Sequence, residues 1–285
     1  MALARRIKPV RRNQPMISDF EFKNKYTCED LVRIVTILRS PGGCPWDIEQ
    51  THESIRKNFI EETYEAIEAI DKADPEMLRE ELGDVLLQIM LHCEMERERG
   101  VFDFNDVCDE ICKKLIIRHP HVFGDTVVSG SDDVITNWDA IKKATKKQKT
   151  AAEGIRSVPR ELPALMRAQK AQHKAAKAGF DWTDVSGPLA KIPEEAAEVQ
   201  EALRSGDPTR IADELGDLLF AAVNVCRFAH TDAEEALTGA TDKFTERFAL
   251  VEAYAAEGGR PVNGYSEAEL DAFWERAKKE LKNRT

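Results

Sequence analysis

Acidic side chains recur at helical spacing in two separate stretches of this sequence. In each stretch a Glu-Glu-x-x-Glu group is followed, 16 residues after its last glutamate, by Glu-Leu-Gly-Asp. Residues three and four apart share one face of a helix, so each group gathers its carboxylates on one side. The two sets are Glu61, Glu62, Glu65, Glu81 and Asp84, and Glu194, Glu195, Glu198, Glu214 and Asp217.

A turn between the two groups of each set would bring their acidic faces together. Carboxylates crowded into one groove repel one another, which raises their pKa values unless a cation neutralises them. Oxygen ligands favour hard divalent ions, so Mg²⁺ is the expected metal and Mn²⁺ its substitute. A single Glu-x-x-Glu pair is normally a solvated helix surface. The duplication of the whole set, with apolar residues on both helices, favours a metal site in each copy.

The two sets belong to an internal repeat with an offset of 133 residues. Asp74-Pro75 matches Asp207-Pro208 at the expected turn, and Gly83 matches Gly216 before the last acid. Glycine costs about 1 kcal/mol relative to alanine in a helix, so its recurrence indicates close approach by a backbone or a ligand. We predict modules at 27–145 and 161–282, a linker at 146–160, and a basic, disordered tail at 1–26.

Apolar periodicity and capping residues predict an all-α fold. Thr27 is expected to cap a first helix, Thr51 to open a second, and Pro75 to lie early in a third. A fourth is expected from about Asn105. Aromatic residues make up only 7% of the chain, and the β-branched runs of a large sheet are missing. Short connections favour antiparallel neighbours, so each copy is predicted to be a small helical bundle.

Composition excludes several classes of function. The net charge of −11 argues against a nucleic-acid-binding surface, which is normally basic. No apolar run is long enough for a membrane span, so no membrane association is expected. The six cysteines show no regular disulfide spacing, and free thiols in the cytoplasm are the simpler interpretation.

Cationic pairs at i,i+4 spacing follow each acidic set and are candidates for phosphate binding. Such pairs can hold phosphate oxygens on the far side of a metal–phosphate complex, although a surface ion-pair face has the same pattern. They are Lys114 with Arg118 and Lys243 with Arg247. Trp138 and Trp274 follow at matching places; stacking on a base and ordinary core packing both fit them.

The second copy has the more polar site. Lys191 lies one turn before Glu195, where the first copy has Asn58, and Asn224 replaces Leu91 on the helix that carries Asp217. Both Lys191 and Asn224 are therefore candidates for substrate binding.

Pro193 argues in the opposite direction. A proline inside a helix removes a backbone hydrogen bond, so a kink that misplaces Glu194 is expected if the helix begins near Pro188. Weighing these features together, we predict that the second copy dominates.

Two other metal sites fit poorly. A carboxylate-bridged di-iron bundle needs a histidine three residues after a ligand glutamate, and neither copy has one. A zinc site from Cys108, Cys112, His119 and His121 lacks a convincing spacing.

Several further motifs complete a resemblance that covers nearly all of the chain after about residue 27. They include Cys44-Pro45-Trp46-Asp47, the segment 118–123 (Arg-His-Pro-His-Val-Phe), the segment 162–165 (Leu-Pro-Ala-Leu), and Gly179-Phe180-Asp181-Trp182. With both acidic sets, they make the chain resemble the MazG family of nucleoside triphosphate pyrophosphohydrolases in its long, two-domain form.

This resemblance implies helical modules that associate as a homodimer to complete four-helix bundles. It implies hydrolysis of ribo- and deoxynucleoside triphosphates, with broad specificity, to monophosphate and pyrophosphate, as nucleotide-pool housecleaning. Glu61 and Glu194 would orient or deprotonate the attacking water or contact a second ion. The alternative is that one module, more readily the N-terminal, only dimerises or senses nucleotides. The implied Mg²⁺ ligands are Glu62, Glu65, Glu81, Asp84, Glu195, Glu198, Glu214 and Asp217.

Overall fold

Helices account for all the regular structure among the residues that the computed structural model describes, which are 20–131, 133–134, 137–138, 141 and 150–283. The all-α prediction is therefore confirmed. Most of the predicted tail and residues 146–149 of the predicted linker lie outside this described part. Among the described helices, none is both long and apolar enough to cross a membrane.

The chain divides into two units, Met1–Lys142 and Lys143–Thr285. The predicted linker is not entirely a connection, because residues 151–156 form a short helix of the second unit. Lys174 Nζ donates to the Gly154 carbonyl at 2.8 Å and fixes that helix against the one that follows.

The first unit is built around a helical hairpin. Its helices are α1 (Cys28–Arg39), α2 (Pro45–Glu49), α3 (Arg56–Asp71), α4 (Pro75–Glu98), α5 (Phe104–Arg118) and α6 (Pro120–Phe123). Helices α3 and α4 pack on each other along their lengths, and α1 packs on α4. The buried core consists of Val35, Ile55, Met90, Leu91 and Met95.

Local sequence explains where these helices begin. Thr27 and Asp30 form a reciprocal capping box at α1, as predicted. Asp74 accepts hydrogen bonds from two backbone N–H groups at the start of α4, and Pro75 takes the first helical position. The prediction that Thr51 opens the next helix is wrong. Side-chain hydrogen bonds between Thr51 and Ser54 close a turn there, and α3 begins at Arg56.

The second unit repeats the hairpin. Its helices are α7 (Ala151–Arg156), α8 (Ala164–Lys177), α9 (Ser186–Ser205), α10 (Pro208–Phe228), α11 (Ala233–Glu257) and α12 (Glu267–Lys282), with a 3₁₀ turn η1 (Val262–Gly264). Gly206 adopts a left-handed conformation (φ 69°) between α9 and α10, a backbone state that glycine enters without steric cost. Asp207 caps α10. A second core forms where α11 meets α12, around Val251, Tyr254 and Ala277.

Pro193 lies inside α9, which runs without interruption from Ser186 to Ser205. The helix begins two residues earlier than Pro188, the start considered from the sequence. Proline has no N–H to offer the carbonyl one turn before it, yet the residues after Pro193 remain helical. Glu194 and Glu195 both reach the same lysine from this segment, so the proline does not remove Glu194 from the acidic group.

Candidate metal centres and phosphate-binding groups

The hairpin of the first unit brings three predicted ligands together. Glu62 of α3 and Glu81 and Asp84 of α4 each offer a carboxylate oxygen, and these oxygens all lie within 4.8 Å of one another. Glu81 and Asp84 are three residues apart and share a helix face, while the turn at Asp74 returns α4 alongside α3. All three side chains are half-buried. The spacing predicted from the sequence therefore does produce a cluster of oxygen ligands.

The electrostatics of this first cluster are strongly repulsive. Burial raises the pKa of Glu62, and the negative charges of Asp84, Glu65, Glu81 and Glu61 raise it further. Burial also raises the pKa of Glu81, followed by the charge of Glu65 and by a hydrogen bond between the two carboxyl groups. Such shifts mark carboxylates that need a proton or a cation near them.

Glu65 and Glu61 are placed beside the trio rather than in it. Glu65 contacts Glu81 across the hairpin, and Glu61 is exposed on α3. Glu65 is thus close enough to contribute to the same site, whereas Glu61 lies at its open edge.

The second unit repeats the trio with the equivalent residues. Glu195 of α9 and Glu214 and Asp217 of α10 offer oxygens within 4.8 Å of one another. Glu195 is buried, with 8% of its surface exposed. Burial raises the pKa of Glu198, and the charges of Glu195, Glu214 and Glu194 raise it further. Both hairpins therefore form the oxygen-rich cluster that the repeat predicts.

Two cations distinguish the second cluster from the first. Lys191 Nζ lies 2.7 Å from Glu194 Oε1 and 3.2 Å from Glu195 Oε1. Arg210 Nε lies 3.6 Å from Glu214 Oε1. Lys191 was predicted from the sequence but Arg210 was not, although Arg210 lies four residues before Glu214 in a helix, which is a recognisable ion-pair spacing.

The predicted phosphate-binding arginines each cover a tryptophan. Arg247 Cζ lies 5.7 Å from the ring centroid of Trp274, and Arg118 Cζ lies 5.4 Å from that of Trp138. Trp274 also packs against the core of α11 and α12. These distances describe cation–π contacts, and they recur at equivalent positions in both units.

The two lysines of the cationic pairs, Lys114 and Lys243, are exposed on α5 and α11. Neither is a member of an acidic trio.

Asn224 belongs to a separate polar network. Its Oδ1 accepts a hydrogen bond from Arg227 Nε at 2.9 Å, and Arg227 also forms an ion pair with Asp181, in the loop before α9. Asn224 is buried, with 6% of its surface exposed. The network holds that loop against α10, a role that the sequence did not indicate.

Sequence comparison decides the family. A family profile described as the MazG nucleotide pyrophosphohydrolase domain matches the chain twice, at residues 50–123 and 176–251. Together the two matches cover more than half of the chain, and each contains one acidic hairpin. The chain belongs to the MazG family. It carries two tandem MazG domains, as the repeat predicted.

Two curated relatives match over most of their own length, and a third matches over half of it. The chain is 45% identical over 250 residues to the nucleoside triphosphate pyrophosphohydrolase/pyrophosphatase MazG of Thermotoga maritima, covering 88% of this chain and 95% of the relative. It is 43% identical over 253 residues to a nucleoside triphosphate pyrophosphohydrolase of Escherichia coli K12, covering 88% and 96%. An uncharacterized Bacillus subtilis protein, YabN, is 46% identical over 247 residues, covering 86% of this chain and 50% of the relative.

The zinc and di-iron alternatives gain no support within the MazG domains. Among the described residues, the histidine, cysteine and carboxylate groups close enough to hold a metal are the two acidic trios. Cys108, Cys112, His119 and His121 do not form such a group.

Proposed function

We propose that this chain is a Mg²⁺-dependent hydrolase that converts ribo- and deoxynucleoside triphosphates to monophosphates and pyrophosphate. The observation that carries the proposal is the acidic trio on a helical hairpin, which is present twice. The names of the Thermotoga and Escherichia relatives, which align over nearly their full length, support the same reaction. Broad base specificity and a housecleaning role in the nucleotide pool complete the proposal.

The donor set fits a hard divalent ion. Each trio supplies only carboxylate oxygens. Mg²⁺ and Mn²⁺ prefer such oxygen ligands, whereas other metal ions need nitrogen or sulfur ligands. In the second unit Glu195, Glu214 and Asp217 would hold the metal, with Glu198 beside them. In the first unit Glu62, Glu81, Asp84 and Glu65 would do so. A bound metal would neutralise phosphate charge and lower the pKa of an adjacent water.

The remaining residues supply proton transfer and binding. Hydrolysis adds water across the α–β phosphoanhydride bond, so that one phosphate gains an oxygen and pyrophosphate leaves. Glu194, or Glu61 in the first unit, is the proposed acceptor of the water proton. Lys243 and Arg247, with Lys114 and Arg118 as counterparts, would bind phosphate oxygens.

Substrate contacts in the second unit complete the proposed site. Trp274 packs against the core and is covered by Arg247, so it would stack on a base once Arg247 turns from the ring to the phosphate. Lys191 would contact phosphate, and Asn224 would support the site through Arg227.

The second unit is the proposed principal catalyst. Its acidic group already contains Lys191, a cation suited to phosphate, and the first unit has Asn58 at the equivalent position. The alternative is that one unit, more readily the first, is not catalytic and serves in dimerisation or nucleotide sensing.

A homodimer is proposed from the surfaces of the hairpins. Large apolar side chains remain exposed on α10, including Leu215, Leu219 and Phe220. Exposed apolar surface of this extent marks a contact with another molecule. A second copy packing there would complete a four-helix bundle. The six free cysteines and the acidic composition fit a cytoplasmic protein that binds nucleotides without binding nucleic acid.

A product analysis with paired variants tests the proposal. The protein is incubated with each nucleoside triphosphate and Mg²⁺, and monophosphate and pyrophosphate are quantified. We expect Glu195→Ala to lower turnover by about two orders of magnitude, and Glu62→Ala to lower it much less. Release of orthophosphate would contradict the proposed bond cleavage. Undiminished turnover in Glu195→Ala would overturn the assignment to the second unit.

A further inference from the structure

The two acidic trios differ in the cations that surround them. In the second unit, Lys191 contacts Glu194 and Glu195, and Arg210 approaches Glu214. Two of these three carboxylates, Glu195 and Glu214, belong to the trio itself. The second cluster is therefore partly neutralised by side chains of its own unit.

The first unit has uncharged residues at both equivalent positions. Asn58 replaces Lys191 and Met77 replaces Arg210, at the same 133-residue offset. The charged groups that act most on Glu62 are all carboxylates. Lys57 is the nearest lysine in sequence, but it lies four residues before Glu61 and so shares a helix face with Glu61 rather than with Glu62.

This difference changes the electrostatic environment of a divalent cation at each site. Each trio has three carboxylates, so with its two cations the second carries a formal charge of −1, and the first carries −3. A metal ion that enters the second trio competes with the Lys191 ammonium for the negative charge of Glu195, since both are attracted to the same carboxylate. The first trio imposes no such competition, and its unrelieved repulsion favours metal entry.

We propose that the two sites load metal differently: the first binds a divalent ion tightly by itself, whereas Lys191 weakens metal binding at the second until a nucleotide arrives. A triphosphate offers the ammonium an alternative anion, which releases Glu194 and Glu195 for the metal and the water. Metal and nucleotide therefore strengthen each other's binding at the second site. This inference rests on the proposed function, because it assigns the nucleotide phosphate as the group that takes Lys191.

Mn²⁺ binding to the full chain, freed of metal by a chelator, tests the inference without measuring hydrolysis. Free Mn²⁺ is followed by electron paramagnetic resonance during a titration without nucleotide. We expect two classes of site that differ in affinity by roughly tenfold, from the Coulomb cost of one or two nearby cations. Glu62→Ala should remove the tight class, and Glu195→Ala the weak class.

Reciprocal exchanges between the units provide matched controls. Lys191→Asn with Arg210→Met gives the second unit the residues of the first, and it should tighten the weak class roughly tenfold. Asn58→Lys with Met77→Arg makes the opposite exchange, and it should weaken the tight class. Lys191→Asn should also weaken binding of a nucleoside triphosphate analogue. In this analogue a methylene group replaces the oxygen between the α and β phosphorus atoms.

Lys191→Asn should therefore tighten Mn²⁺ binding and weaken triphosphate binding, whereas simple loss of structure would weaken the binding of both ligands. Equal Mn²⁺ affinities in the unaltered protein, or exchanges that leave the affinities unchanged, would overturn the inference. The protein could fail to hydrolyse triphosphates and still show two classes of Mn²⁺ site whose affinities respond to the reciprocal substitutions. In that case the proposed function fails but the difference in metal binding between the two sites stands.

Discussion

His52 Nδ1 lies 2.7 Å from His92 Nδ1, so these two nitrogens share a single proton. His52 Nε2 lies 2.6 Å from Glu96 Oε1, which fixes that nitrogen as a donor when the carboxylate is ionised. When both imidazoles are neutral, His92 Nδ1–H therefore donates the hydrogen bond and His52 Nδ1 accepts it. This network joins the loop before α3 to α4 in the first unit.

We expect the stability of the first unit to fall as the pH drops below about 6.5. Burial lowers the pKa of His92 from its usual value of 6.5, and a charge on His52 lowers it further. The unfolded chain therefore binds the proton more readily, so this contribution is present above pH 6.5 and is lost below it. Phe59 packs on His92 from α3, while Glu96, Arg99 and Glu53 are the charged groups near His52.

Urea unfolding at pH 5 to 8, in His92→Phe and in the unaltered protein, measures this effect. The variant should show a smaller slope of unfolding free energy between pH 5 and 6.5. Glu96 affects stability at a lower pH than His92. Burial opposes the ionisation of Glu96, but the His52 hydrogen bond and the Arg99 charge outweigh burial and lower its pKa. Its contribution should therefore disappear only below about pH 4.5. An identical slope in His92→Phe would contradict the assignment.

Arg247 is expected to matter for turnover and Arg118 much less. Both arginines cover a tryptophan in the same way, so they form a matched pair that differs in the unit to which they belong. Arg247→Met should lower kcat/KM by roughly hundredfold through loss of charge at the phosphate. Arg118→Met should change it less than about threefold. Steady-state kinetics with one triphosphate measures both, and equal losses would mean that both units contribute to turnover.

Pro193→Ala should stabilise the second unit. The proline leaves the Leu189 carbonyl without its helical donor, and alanine restores that N–H in a helix that is already continuous. Because Pro193 is exposed, replacing its ring with the smaller alanine side chain removes no buried contact. The expected gain is about 1–3 kcal/mol, measured by urea unfolding. Pro188→Ala is the comparison: that proline is fully buried near the helix start, and its replacement should destabilise.

Local rules were sufficient to predict the hairpins. Acids at i,i+3 and i,i+4, together with the Asp-Pro turns, placed Glu62 near Glu81 and Asp84 without any knowledge of distant contacts. The α3 boundary was missed because a side-chain turn at Thr51 competes with the helix. Such turns depend on hydroxyl orientations that the sequence pattern does not specify.

Contacts between distant segments were less predictable. Asn224 stays a predicted substrate-binding residue because it shares a face with Asp217, but the sequence pattern did not reveal its hydrogen bond with Arg227, which joins it through Asp181 to a distant loop. Among the described residues, none approaches Gly83 or Gly216 closely, since a Cβ at each would meet nothing within 4 Å. A ligand or a second chain stays as the expected neighbour.

The exposed face of α10 gives the last prediction. Leu219 has 58% of its surface exposed and Leu215 has 43%, and Gly216 lies beside them with open space over its Cα. If a second copy packs here, Leu219→Arg buries a charge at the interface and should shift a dimer to monomer, while Leu219→Met keeps the apolar surface and the dimer. Light scattering during size exclusion, over a hundredfold range of concentration, measures the mass. A chain that is monomeric before any substitution would remove this interface from consideration.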